Sequence, residues 1–83
     1  MNEYYIVAVE YPAGLYFTGY DEKVEKVAKR LCDGGGMGMG YRDLSYYYKT
    51  KRGALNLYER LAKLKKLKRK VYSPDGNVVI GIV

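Results

Sequence analysis

From Tyr4 to Tyr11 the chain reads Tyr-Tyr-Ile-Val-Ala-Val-Glu-Tyr, β-branched and aromatic with apolar residues at both parities. That pattern predicts a strand near the middle of a sheet, apolar on both faces. Pro12 closes it, Ala13-Gly14 supplies a turn, and Leu15-Tyr16-Phe17-Thr18 predicts a second short strand paired with the first as a hairpin. From Asp21 the period lengthens to about 3.6. Val24, Val27, Ala28 and Leu31 share one helical face with charged residues around it, and Gly34 is the expected left-handed residue that ends the helix. Gly34 to Gly40 holds five glycines and two methionines, which predicts a flexible loop.

Strand composition returns at Leu44-Ser45-Tyr46-Tyr47-Tyr48-Lys49, and Thr50 stands where a cap would start a helix from Lys51 to about Lys68. Ala54, Leu57, Tyr58, Leu61 and Leu64 form its apolar stripe, with Leu55 and Ala62 widening it. Val71-Tyr72, a turn over 73–77 and Val78 to Val83 predict a closing strand or hairpin. The expected order is β-β-α-β-α-β. Two helices with one apolar stripe each, and a sheet to cover, predict a small α+β two-layer sandwich with an antiparallel sheet and both helices on one face. At 83 residues the chain is expected to be a single domain.

Charge changes the picture. Residues 1–43 carry five basic and seven acidic groups, a net of −2, whereas residues 44–83 carry ten basic and two acidic, a net of +8. The cations fall in two clusters: Lys49, Lys51 and Arg52 before and at the start of the second helix, and Lys63, Lys65, Lys66, Lys68, Arg69 and Lys70 around its expected end. Lysines near a helix C-terminus meet the helix dipole favourably, and a solvated face accounts for part of the run. Six cations within eight residues nevertheless repel one another, and a polyanion partner would relieve that.

Tyrosine is the second anomaly, with eleven Tyr, one Phe and no Trp. Successive strand residues face opposite ways, so some of Tyr46, Tyr47 and Tyr48 are expected on the face that the helices leave bare. Rigid, water-tolerant rings suit a protein interface or a nucleic-acid stacking platform. Met37 and Met39 on the glycine segment add adaptable apolar contacts. The candidate partner-binding residues are therefore the two basic clusters, the three tyrosines and the two methionines.

Other chemistry is thinly represented. The chain has no histidine, so the commonest general base and the commonest metal ligand are both missing, and a binding protein is expected rather than an enzyme. Cys32 stands alone, which leaves no intramolecular disulfide, fits a reducing cytoplasmic setting and reads as a small buried hydrophobe. The carboxylates show no metal-ligand spacing, and the glycine segment lacks the Gly-Lys-Ser/Thr and the following helix of a phosphate loop. No cofactor, no metal and no membrane span are expected. Met1 to Glu10 lacks the basic start and apolar core of a signal peptide.

An aromatic strand running into Tyr46-Tyr47-Tyr48-Lys49-Thr50-Lys51-Arg52-Gly53, then an amphipathic helix and a valine-rich closing strand, resembles small phage- and mobile-element-encoded α+β proteins, some anti-CRISPR proteins among them. The resemblance implies a non-enzymatic inhibitor in the host bacterial cytoplasm that occupies a surface of a host defence protein or nucleoprotein complex, as a monomer or small homo-oligomer. It carries no site residue across, and a net charge of +6 departs from the acidic, DNA-mimicking members. The alternative is direct RNA or DNA contact, with Lys and Arg on phosphates and Tyr stacked on bases.

Overall fold

The computed structural model describes residues 3–82; Met1 and Asn2, at the start of the N-terminal segment, and Val83, at the end of the expected last strand, lie outside them. The fold is α+β. A five-stranded antiparallel sheet has the order β2-β3-β1-β4-β5, built from β1 (Tyr5–Pro12), β2 (Gly34–Gly38), β3 (Tyr41–Tyr48), β4 (Lys68–Tyr72) and β5 (Val78–Ile82). Helices α1 (Tyr20–Ala28) and α2 (Lys51–Arg60) pack on one face.

β1 is central, as its composition predicts, with β3 on one side and β4 on the other. Its odd residues Val7, Val9 and Tyr11 enter the core beside Leu44 and Tyr46 of β3, Val71 of β4, Val24 and Ala28 of α1, and Ala54, Leu57 and Tyr58 of α2. Leu61 joins them from just beyond α2.

Four elements depart from the sequence-based expectation, each for a traceable reason. The expected hairpin strand at Leu15–Thr18 is a 3-10 helix over Ala13–Thr18. Both hydrogen-bonding edges of β1 are already taken by β3 and β4, so a third partner has nowhere to pair. Thr18 Oγ1 donates to the Leu15 carbonyl at 2.7 Å, and Gly19 at φ 80° turns the chain into α1.

α1 ends at Ala28 with Lys29, not Gly34, in the left-handed conformation (φ 62°), and Leu31 is consequently carried out of the apolar face into solvent. The glycine segment is ordered pairing, not a flexible loop. β2 forms a hairpin with β3 through Met39 and Gly40, whose φ values of 52° and 84° fit the two-residue turn that matches strand twist. Ladder bonds to β3's otherwise open edge offset glycine's backbone entropy, about 0.5–1 kcal/mol per residue.

The second helix starts as expected, with Thr50 Oγ1 accepting from Gly53 N–H at 3.1 Å. It stops at Arg60, followed by a 3-10 turn over Leu61–Lys63, and does not continue to Lys68. From Lys68 the chain alternates, with Arg69 and Val71 toward the helices and Lys68, Lys70 and Tyr72 away from them. This segment supplies the second neighbour of β1. Extending the cations along a strand also spaces them farther apart than helical turns would. A turn over 73–77, with Gly76 at φ 89°, then returns the chain as β5.

Candidate interaction face of the sheet

The helices leave the opposite face of the sheet uncovered, and strand register determines what stands on it. Ile6 lies between Tyr47 and Tyr72, Ala8 between Ser45 and Lys70, and Glu10 between Asp43 and Lys68, while Tyr41 is opposite Pro12. The uncovered face therefore carries Tyr41, Tyr47 and Tyr72 together with Lys68 and Lys70. Tyr41 and Tyr47 are each 40% exposed. Along β3 they are six residues apart, roughly 20 Å at the usual strand rise.

The cations on this face are held against aromatic and backbone surfaces. Lys68 Nζ stands 5.4 Å from the Tyr41 ring centroid. The stem of Lys70 crosses β5 where Gly81 has no side chain; a Cβ there would come within 2.6 Å of Lys70 Cγ. On the far edge Gly34, Gly36 and Gly38 of β2 face the same side as their partners Ser45, Asp43 and Tyr41, so that margin is bare backbone. Tyr4 stacks on Tyr47 at a centroid distance of 5.7 Å and an interplanar angle of 25°, which braces the Tyr47 ring. Ala8, Glu10, Asp43, Lys68, Lys70 and Tyr72 line a groove of about 150 Å³ across the middle of the face.

The remaining expected cations lie beyond the two ends of the sheet, Lys51 and Arg52 of them in α2 on its covered side. Lys49, Lys51 and Arg52 are exposed where β3 passes into α2, at the Tyr47 end. Lys63, Lys65 and Lys66 are exposed in the connection from α2 to β4, at the Lys68 and Tyr41 end.

Three expected site residues belong elsewhere. Tyr46 is fully buried in the core, where burial pushes its phenol well above the ordinary value. Tyr48 lies on the same helix-covered side, with the Arg30 guanidinium 5.0 Å from its ring centroid. Arg69 also points to the helices, its guanidinium carbon 4.0 Å from the Tyr58 centroid and Nη1 donating to the Tyr58 carbonyl at 2.7 Å. Parity removes all three, because each follows or precedes an open-face neighbour by one residue.

The two methionines stand apart from the groove. Met37 is opposite Arg42 on the helix-side margin, and Met39 is fully exposed at the hairpin tip. Phe17, 83% exposed and edge-on to Tyr16, adds to the apolar surface of the 3-10 segment. Tyr41, Tyr72, Glu10 and Asp43 were not among the expected site residues. The alternation Tyr41, Asp43, Ser45, Tyr47 carries the signal for half of them, and the pairing of β1 with β4 supplies the rest.

On the helix-covered side a polar network locks α1 to the sheet. Arg42 Nη2 donates to Asp21 Oδ2 at 2.8 Å, and Tyr11 donates its hydroxyl to Asp21 Oδ1. Among the described residues no group of three His, Cys, Asp or Glu side chains could hold a metal ion, and no helix is long and apolar enough to cross a membrane. No family model matches this chain, and it matches neither a curated protein nor a solved structure.

Proposed function

We propose that this protein is a non-enzymatic binder of single-stranded nucleic acid, which it holds against the uncovered face of the sheet. The observation that carries the reading is the register that gathers Tyr41, Tyr47, Tyr72, Lys68 and Lys70 onto that one face. Each base has a π-face that can stack on an exposed ring, and the lysines meet the phosphates between stacked bases. Flanking clusters beyond the two ends of the sheet add positive charge that draws a polyanion toward it.

The test is fluorescence anisotropy with labelled single-stranded ten-mers of RNA and DNA between 50 and 200 mM salt, concentrations at which phosphate contacts are strongly salt-sensitive. Affinity should fall steeply with salt. Tyr47→Ala should weaken binding about 5- to 100-fold through lost stacking, and Lys68→Ser or Lys70→Ser should each reduce the log–log salt slope by about 0.7. Absence of binding at the lowest salt, or binding indifferent to salt, would overturn the proposal.

A second reading is favoured by Met39, an apolar side chain fully exposed at a left-handed position that stability would give to Asn or Gly. Together with Phe17 it suits docking on a protein. In that reading the chain is an inhibitor of a host defence nucleoprotein complex, anti-CRISPR-like, and its partner is captured from a bacterial lysate whether or not nuclease is added. Loss of all capture on nuclease treatment returns the reading to direct nucleic-acid binding.

A further inference from the structure

A surface that only tracked phosphates would have no use for carboxylates, yet two stand in the middle of this one. Glu10 and Asp43 are directly opposed across β1 and β3, on the uncovered face, inside the groove lined by Lys68, Lys70 and Tyr72. Like charges opposed in a sheet destabilise it, and both repel phosphate. Neither forms an ion pair within 4.0 Å, those among the described residues being Arg30–Asp33 and Arg42–Asp21, although Glu10 has Lys68 directly opposite it on β4. The neighbouring Lys68 is turned toward the Tyr41 ring. The Asp43 carboxylate instead leans over the bare backbone of Gly36, with both oxygens 3.5 Å from where a Cβ would stand.

Ionised carboxylates accept hydrogen bonds and cannot donate them. What they meet in this groove must therefore present donors. We infer that Glu10 and Asp43 read the edge of one base in the groove and select bases with an exocyclic amine over uracil or thymine. This inference rests on the proposed nucleic-acid reading. Cytosine offers its N4 amine to a carboxylate. Guanine offers a ring N–H beside its amine, two parallel donors that suit both oxygens of one carboxylate. Uracil places carbonyl oxygens on either side of its single N–H, and these face the negative charge unfavourably. Lys68 and Lys70 then hold the flanking phosphates while the tyrosines stack on neighbouring bases.

The experiment compares oligocytidine and oligouridine ten-mers at pH 7 by anisotropy, for the full chain and for Glu10→Gln, Asp43→Asn and the double variant. The amides keep the size of the acids, and thermal unfolding checks that each variant folds. The unmodified protein should favour cytidine about 5- to 100-fold. The double variant should lose that preference and bind oligouridine more tightly, because a repulsive charge is gone and the amides can donate to the uracil carbonyls. Equal affinity of the unmodified protein for both ten-mers, or an unchanged ratio in the double variant, overturns base selection while leaving nucleic-acid binding intact. Failure of both ten-mers to bind overturns both.

Discussion

Arg69 lies against Tyr58, its guanidinium carbon 4.0 Å from the ring centroid and its Nη1 bonded to the Tyr58 carbonyl at 2.7 Å. A residue in the middle of the densest cationic run is thereby committed to holding β4 under α2. Its two neighbours, Lys68 and Lys70, face the opposite side of the sheet.

That division predicts opposite phenotypes along three consecutive residues. Arg69→Ala should lower stability by about 1.5–3 kcal/mol, from a lost charge-assisted hydrogen bond and cation–π contact, with nucleic-acid affinity of the folded protein nearly unchanged. Lys68→Ser and Lys70→Ser should weaken nucleic-acid binding while leaving the melting temperature within a degree or two. Urea unfolding alongside anisotropy reads both quantities. A stable Arg69→Ala that no longer binds would place Arg69 back in the interface.

Tyr46 sits in the core with a hydroxyl that has no hydrogen-bond partner. Leaving a buried hydroxyl unmet costs on the order of 1–3 kcal/mol. Tyr46→Phe keeps the ring and deletes the orphaned group, so it should raise the melting temperature. A fall would show that the hydroxyl is satisfied in solution.

The Asp21 network makes stability depend on pH in a definite direction. Burial pushes the Asp21 carboxyl up, but hydrogen bonds from Arg42 and Tyr11, together with the Arg42 charge, outweigh it and hold the folded value below the ordinary 3.8. Its contribution is complete above the unfolded value near 3.9 and is lost as pH falls through the lower folded value. Tyr11 behaves oppositely: burial first, and the bond to Asp21 second, raise its phenol. That contribution is complete below about pH 10 and fades as pH rises further. Asp21→Asn should cost about 1–3 kcal/mol at pH 7 and flatten the acid limb of a stability profile measured from pH 2 to 7. An acid limb equally steep in the variant would show that other carboxylates set it.

Two non-glycine residues occupy left-handed backbone, Lys29 at φ 62° and Met39 at φ 52°. That conformation costs an L-residue about 1–2 kcal/mol. Lys29→Gly and Met39→Asn should each stabilise the fold by about 0.5–1 kcal/mol, after glycine's unfolded-state entropy and asparagine's milder preference are allowed for. Calorimetry checks both. If Met39 serves a protein contact, Met39→Asn should gain stability and lose that contact.

Local patterns in the sequence determined a good deal. The strand at Tyr4–Tyr11, the Thr50 cap, the stripe Ala54, Leu57, Tyr58 and Leu61, and the helices-on-one-face α+β class all follow from periodicity and capping, which act between residues a few positions apart. Tertiary pairing decided the rest. Leu15–Thr18 has strand composition but no edge of β1 left to join, whereas Gly34–Gly38 has almost no strand propensity and is a strand because β3 offers it an open edge. The same pairing divided the cations and tyrosines. Lys68 and Lys70 faced the open side with Tyr41, Tyr47 and Tyr72, while Arg69, Tyr46 and Tyr48 turned to the helices, because side-chain direction in a strand alternates residue by residue. Composition could count those charges and rings; only register could say which of them share a surface.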